Sequence, residues 1–171
     1  DEAYIEYTPS DTLLPLLADH PNLVIIRTLS KAFALAAIRV GFIVAAEEVL
    51  EQINKLISPY PIPDDSARIG INALSDPGIE YMRSCCERVI ALREQTRKEL
   101  MPLDAIEEVY DSTTNFLLVR FKKAPDAMKH LLNAGIVIRD QTHFEQLPQH
   151  LRISVGVSED MQGTLNHLRR L

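Results

Sequence analysis

Cysteine is scarce in this sequence: 171 residues contain two, Cys85 and Cys86, side by side. Adjacent thiols build no disulfide framework and have no zinc-ligand spacing. They read as two helix thiols in a reducing compartment. The five histidines also lack ligand spacing, so no metal site is expected. An excess of positive charge is missing as well. Eighteen Lys+Arg stand against 24 Asp+Glu, a formal net charge of −6. That balance argues against a general nucleic-acid binder, which carries a basic patch or stripe. No apolar run approaches the ~18 residues of a transmembrane helix, so no membrane partner is expected. No signal-peptide pattern opens the chain. What is there is globular in character: 46% hydrophobic and 25% charged residues, which places the chain among soluble proteins able to bury a core. The length suits one domain, or one domain plus part of another.

Residues 23–27 (LVIIR) are a short apolar, β-branched run and read as a buried, parallel strand. Residues 31–37 suggest a short helical or turn segment, and 40–45 (VGFIVA) a second strand. Val49, Leu50, Ile53, Leu56 and Ile57 have helical spacing, which predicts a helix over 47–57. Three prolines make 58–63 (SPYPIP) a loop or linker. A helix over 66–74 is expected to break at Ser75-Asp76-Pro77-Gly78, and a long charged helix over 79–100 to stop before Pro102. The pattern then changes. Strands at 106–110 and 116–121 flank a polar turn at 111–115. A helix at 125–133 closes on Ala134-Gly135, followed by strands at 136–139 and 151–155 and a helix at 159–170 with Ser158 as its N-cap. The expected fold class is α/β. Residues 1–78 read as the end of a mostly parallel large-domain sheet, 79–100 as a bridging helix, and 101–171 as a small α+β domain with a mostly antiparallel sheet.

The segment with chemical content is Arg27-Thr28-Leu29-Ser30-Lys31-Ala32-Phe33. Most lysines sit on exposed faces. One that directly follows a buried strand, amid hydroxyls and small apolar residues, can be a Schiff-base nucleophile. Thr28 and Ser30 offer hydroxyls at the strand's carboxyl end, where open α/β sheets bind ligands. Arg39 is fixed in charge and suits a phosphate. Two readings stand side by side: a lysine nucleophile beside an anion site, or a lysine at a strand end with a surface arginine. Asp1 and Tyr4 can equally be a carboxylate and phenol aimed at a pyridine ring, or a solvated chain terminus. Arg139 can bind an anion or pair with Asp140. Arg152, inside an apolar strand, needs a partner. Asn115 is expected to hold its turn through side-chain bonds to backbone. Tyr60 is expected to pack at a domain or subunit boundary, and His130 and His143 to be exposed.

In chain order, Asp1-x-x-Tyr4, Thr28-x-Ser30-Lys31 and Arg39 resemble the pattern of fold-type I aminotransferases that use pyridoxal phosphate. DEAYIEY, RTLSKAFALAAIRVGF, the PYPIP segment, TNFLLVRF, GIVIRDQ and LRISVG resemble the histidinol-phosphate aminotransferase family of the class II aminotransferases in particular. The resemblance covers nearly all of this chain and only the later part of the family's sequence. It implies that Lys31 is the Schiff-base lysine and proton shuttle, that Asp1 partners the cofactor's pyridine N1, and that Tyr4 donates to its O3′. It implies that Arg39, Ser30 and Thr28 belong to the phosphate cup, and that Arg152, with Arg139, binds the substrate's anionic end.

The activity implied is exchange of an amino group between L-histidinol phosphate/imidazole-acetol phosphate and glutamate/2-oxoglutarate in histidine biosynthesis, by a cytoplasmic homodimer. Relatives with the same early chemistry are aromatic-amino-acid aminotransferases and threonine-phosphate decarboxylases. A non-catalytic fragment or interaction module is the alternative of another class. The sequence departs from the family pattern in two ways. Ala36-Ala37 stands where Ala-Gly is usual, which matters only if that position needs a positive φ. The family's remaining cofactor contacts lie upstream of DEAY. The chain is therefore expected to be truncated, with Asp1 at a severed strand end, and to be inactive alone.

Overall fold

Burial alternates along the first strand. In β1 (Val24–Thr28) Ile25 is buried while Ile26 stays 47% exposed, and Leu29 just beyond the strand is fully buried. The computed structural model describes residues 1–8 and 10–171. It divides into two compact units, Asp1–Cys86 and Glu87–Leu171.

In the first unit β1 pairs with β2 (Gly41–Ala45) antiparallel, from Thr28 opposite Gly41 to Val24 opposite Ala45. The parallel pairing expected of residues 23–27 is not found among the described residues. Residues 29–40 between the strands contain a single short 3-10 helix, Ala36–Ile38. A parallel return is usually carried by a full crossover helix, which this connection lacks, and the chain turns back on itself. Two further 3-10 helices, Ile5–Tyr7 and Leu14–Ala18, precede β1. Helix α1 (Glu47–Asn54) opens with Glu47 and Glu48, and α2 (Asp64–Ala73) with Asp64 and Asp65. Acidic side chains there complement the helix dipole, which explains why α2 starts ahead of the expected residue 66.

Helix α3 (Asp76–Leu100) resumes almost at once after α2. The expected break at 75–78 is confined to its start, because Pro77 sits in the first turn, where a missing N–H is harmless. Gly78 makes the tight junction possible: a Cβ there would collide with the backbone of Ala73 and Asn72.

The second unit holds a four-stranded sheet, β3 (Ile106–Val109), β4 (Phe116–Phe121), β5 (Arg139–Asp140) and β6 (His150–Ser154), in the order β3-β4-β6-β5 with every pair antiparallel. In β4 Leu117, Val119 and Phe121 are buried and the residues between them half-buried, the period-2 pattern of a one-faced strand. In β3 a register shift between Ile106 and Glu108 lets both Ile106 and Val109 point inward. Helices α4 (Ala124–Asn133) and α5 (Ser158–Leu168) add Leu131, Leu165 and Leu168 to this core.

Gly135 ends α4 in the left-handed region at φ 78°, with its amide bonded to the Leu132 carbonyl and that of Ile136 to Leu131. That closure uses the Ile136 amide, and the strand expected at 136–139 shrinks to Arg139–Asp140. Helix α5 starts one residue ahead of expectation, so Val157 rather than Ser158 is the N-cap and no side chain caps it. Among the described residues no helix is long and apolar enough to cross a membrane.

Candidate functional site

The first unit gathers chemistry around the end of β1. Residues 1–4 dock on this strand through the Glu2 amide, which donates to the Ile26 carbonyl at 2.8 Å. The Glu2 carboxylate is buried and accepts the Leu13 amide (2.7 Å), the Thr12 hydroxyl (2.9 Å) and two guanidinium N–H groups of Arg27 (2.7 and 3.0 Å). Burial pushes the Glu2 carboxyl up, but the Leu13 amide, Arg27 and Thr12 outweigh it, so it titrates below the ordinary glutamate range.

This anchor sets Tyr4 beside Lys31, whose Nζ lies 5.3 Å from the Tyr4 ring centroid, within cation–π range. The Tyr7 hydroxyl donates to the Lys31 carbonyl at 3.4 Å. Burial, reinforced by the neighbouring Cys86, pushes the Tyr7 phenol up to about 12, so it stays a donor. Thr28 Oγ1 accepts the Ser30 amide at 3.0 Å and lies 2.9 Å from Ser30 Oγ and 3.2 Å from the Val40 carbonyl. Thr28 thus shapes the turn, and Ser30 is left with its own hydroxyl proton to donate.

Arg39 is held left-handed at φ 57°, an uncommon state for a side-chain-bearing residue. It is exposed, and its Nη1 donates to the Ala36 carbonyl at 2.8 Å. The Ala36-Ala37 departure is harmless here. Ala36 and Ala37 are in the 3-10 helix, and the left-handed residues, Ala34 and Arg39, flank it.

Thr28, Ser30 and Arg39 line one open cleft of about 470 Å³, together with Arg27 and apolar residues such as Phe42 and Ile53. Lys31 and Tyr4 meet each other but are not among that cleft's lining residues. Asp1 joins neither group. It is exposed, and its Oδ1 accepts the Ala3 amide at 2.9 Å.

The second unit brings the two remaining arginines together. Arg139 on β5 and Arg152 on β6 are directly opposite in register, so their side chains leave the same face. Arg152 Cζ lies 4.7 Å from the Phe116 ring centroid, and among the described residues its buried Nε has no hydrogen-bond partner. Among the described residues Arg139 forms no ion pair: Asp140, the partner expected by the alternative reading, instead accepts the Thr142 amide at 2.8 Å. Like charges directly opposite repel, and two forked guanidiniums on one face suit a multivalent anion.

Two expectations need correction. The turn at 111–115 is held by hydroxyls, with Ser112 Oγ donating to the Phe116 carbonyl at 2.6 Å and accepting the Thr114 amide at 3.1 Å. Asn115 contributes its backbone carbonyl to the Val155 amide (2.9 Å) rather than its side chain. His130 is half-buried, with Nε2 3.1 Å from the His167 carbonyl, whereas His143 is exposed. The sequence reading gave no site role to Glu2, Arg27, Tyr7 or Phe116. Arg27 carried a signal: an arginine inside an apolar strand requires a partner.

The family model for aminotransferase class I and II matches residues 1–168. The chain belongs to this family. Among curated aminotransferases it is 45% identical over 169 residues to histidinol-phosphate aminotransferase of Escherichia coli (strain SMS-3-5 / SECEC), covering 99% of this chain and 48% of that protein. The crystal structure of histidinol-phosphate aminotransferase from Clostridium acetobutylicum superposes with a TM-score of 0.90 at 27% identity, over 99% of this chain and 52% of that one. The enzyme from Sinorhizobium meliloti, in complex with pyridoxal-5′-phosphate, gives 0.86 at 26% identity, over 99% and 47%. The chain spans about half the length of the curated relatives it matches.

Proposed function

We propose that the protein carrying this sequence is a pyridoxal-phosphate-dependent aminotransferase that exchanges the amino group between L-histidinol phosphate/imidazole-acetol phosphate and glutamate/2-oxoglutarate. The observation that carries this reading is the Lys31 amine set against Tyr4 at the end of the strand that also delivers Thr28 and Ser30. The donor set fits a phosphorylated pyridine aldehyde: one amine, a phenol, two hydroxyls, a guanidinium and a carboxylate. That group, when bound, supplies an aldehyde for amines and a ring that withdraws electrons from the carbon losing its proton.

The residues divide the remaining work. Lys31 Nζ offers the amine and then holds or releases a proton as general acid/base. Tyr4 gives that amine an aromatic face and offers a phenolic donor to a ring oxygen. Ser30 and Arg39, on the turn shaped by Thr28, hold the phosphate. The Asp1 oxygen not occupied by Ala3 keeps a proton on the pyridine nitrogen. Arg152 and Arg139 bind the substrate's phosphate. On this reading residues 1–78 are the end of the cofactor-binding domain, 79–100 bridge it, and 101–171 form the substrate-side domain. The enzyme is a cytoplasmic homodimer.

The test uses the natural-length protein with added pyridoxal phosphate. We expect a visible absorption band that Lys31→Ala abolishes, and a fall in transamination of histidinol phosphate of about 10²–10⁴-fold, the usual worth of a positioned acid/base. A band that survives Lys31→Ala would overturn the reading. Carbon dioxide release from a phosphorylated amino acid would assign the protein to decarboxylation instead.

A further inference from the structure

We propose that Glu2, Arg27 and Thr12 are positioning residues for Lys31: the clamp they form holds Tyr4 at the lysine and cancels the Arg27 charge inside the strand leading to it. The inference rests on the reading of Lys31 as the cofactor lysine.

The clamp joins three separate stretches of chain, since Arg27 Nη2 reaches both the Glu2 carboxylate (2.7 Å) and the Thr12 hydroxyl (2.9 Å). It is mostly dry: the side chains of Arg27 and Glu2 are 22% and 6% exposed. A buried pair is a poor source of net stability, because desolvation offsets the attraction. Its location is more informative. Glu2 sits between Asp1 and Tyr4, and its carbonyl accepts the Ile5 amide at 3.2 Å, which starts the turn presenting Tyr4. Arg27 directly precedes Thr28 and lines the same cleft as Thr28, Ser30 and Arg39. One ion pair, two guanidinium N–H groups on a single carboxylate oxygen, therefore ties both halves of the candidate site together. It also leaves the lysine's surroundings without the net charge that either partner alone would impose.

Among the described residues, the other titratable groups around Lys31 and the clamp are Asp1, Tyr4, Tyr7, Cys86, Glu6 and Arg39. All are retained in the variants below, so their contribution cancels in the comparison. With Glu2→Gln, Arg27 keeps its charge without a counter-ion, which disfavours a proton at Lys31. With Arg27→Met, the Glu2 carboxylate is left alone, which favours one.

The experiment records the pH midpoint of the Lys31-dependent visible band in the natural-length protein loaded with pyridoxal phosphate, together with the cofactor's dissociation constant. The midpoint is expected to fall in Glu2→Gln and rise in Arg27→Met by about half a unit or more, roughly a threefold change in the proton equilibrium. It is expected to return towards the parent value in the double variant and to stay there in Arg27→Lys, which keeps the charge. Cofactor binding is expected to weaken in all four as Tyr4 loses its anchor. Shifts of the same sign in both single variants, or no shift with the cofactor still bound, would overturn the proposal. So would loss of the fold in both Glu2→Gln and Arg27→Lys, which would assign the network to stability alone. A band that does not depend on Lys31 would instead refute the functional reading on which the proposal rests.

Discussion

The two units spend their apolar residues differently. The second closes a core between one sheet face and two helices, with Phe121, Leu117, Leu131, Leu151 and Leu165 almost inaccessible. Its cationic pair stands on the other face, half-buried and exposed. The first unit buries fewer large side chains and leaves Ile26, Phe42, Leu56 and Ile71 exposed, yet it places an ion pair inside. The contrast teaches that stability and site geometry have separate sources. Packing holds the second unit, and its binding groups are attached to a finished sheet. In the first unit polar contacts at the end of one strand hold the candidate site itself.

The strongest challenge to that contrast is a cavity in the second unit. Phe121→Ala should destabilise the protein by about 3–5 kcal/mol, read by denaturant unfolding. A loss below 1 kcal/mol would mean the sheet does not depend on this core. Glu2→Gln should follow at about 3 kcal/mol near neutral pH, the lower end for breaking a buried pair. The pH dependence gives its sign. The Glu2 pKa is lowered in the folded chain, so its stabilisation is present above the unfolded value of about 4.3 and is lost as pH falls through the folded value. The gap between parent and Glu2→Gln should therefore close in acid. A gap that widened there would show that the carboxylate is not the stabilising form.

Arg152→Leu sharpens the comparison from the binding side. Losing charge-assisted hydrogen bonds should lower kcat/KM for a phosphorylated substrate by about 10–150-fold, equivalent to about 1.5–3 kcal/mol. Unfolding should change far less, because Arg152 is on the face away from the core. Equal losses for an uncharged substrate would remove the anion-binding role. Smallest of all is Leu56→Ser: Leu56 is 88% exposed, and a surface change of this kind should stay within about 0.5 kcal/mol in thermal or chemical unfolding.

Much of the fold was legible in the residues. β4 announces itself as an apolar run behind a polar turn, α4 by its terminal Ala134-Gly135, and α3 by an uninterrupted charged helix. Errors gathered where one residue of context decides the outcome. Ser158 looked like a cap until the helix began one position earlier. Ile136 looked like a strand residue, but its amide was already committed to closing α4. Of the candidate site, Lys31 and Tyr4 were legible as a motif and meet in space, and Arg139 and Arg152 share a face. Asp1 and Arg39 were named as readily, yet in the structure they bond to their own chain neighbourhood.

Sequence alone determined what depends on short range: the periods of helix and strand, the glycine that can turn left-handed, and the ordered motifs that place the chain in its family. Tertiary structure decided who faces whom. Nothing local in residues 23–27 says that β2 returns antiparallel, that Arg27 spends its guanidinium on Glu2, or that Arg139 ends up opposite Arg152. Backbone preferences and hydrophobic periodicity are properties of neighbouring residues. A strand register or a buried ion pair joins distant ones, and it is settled only when loop length, burial and charge are satisfied together.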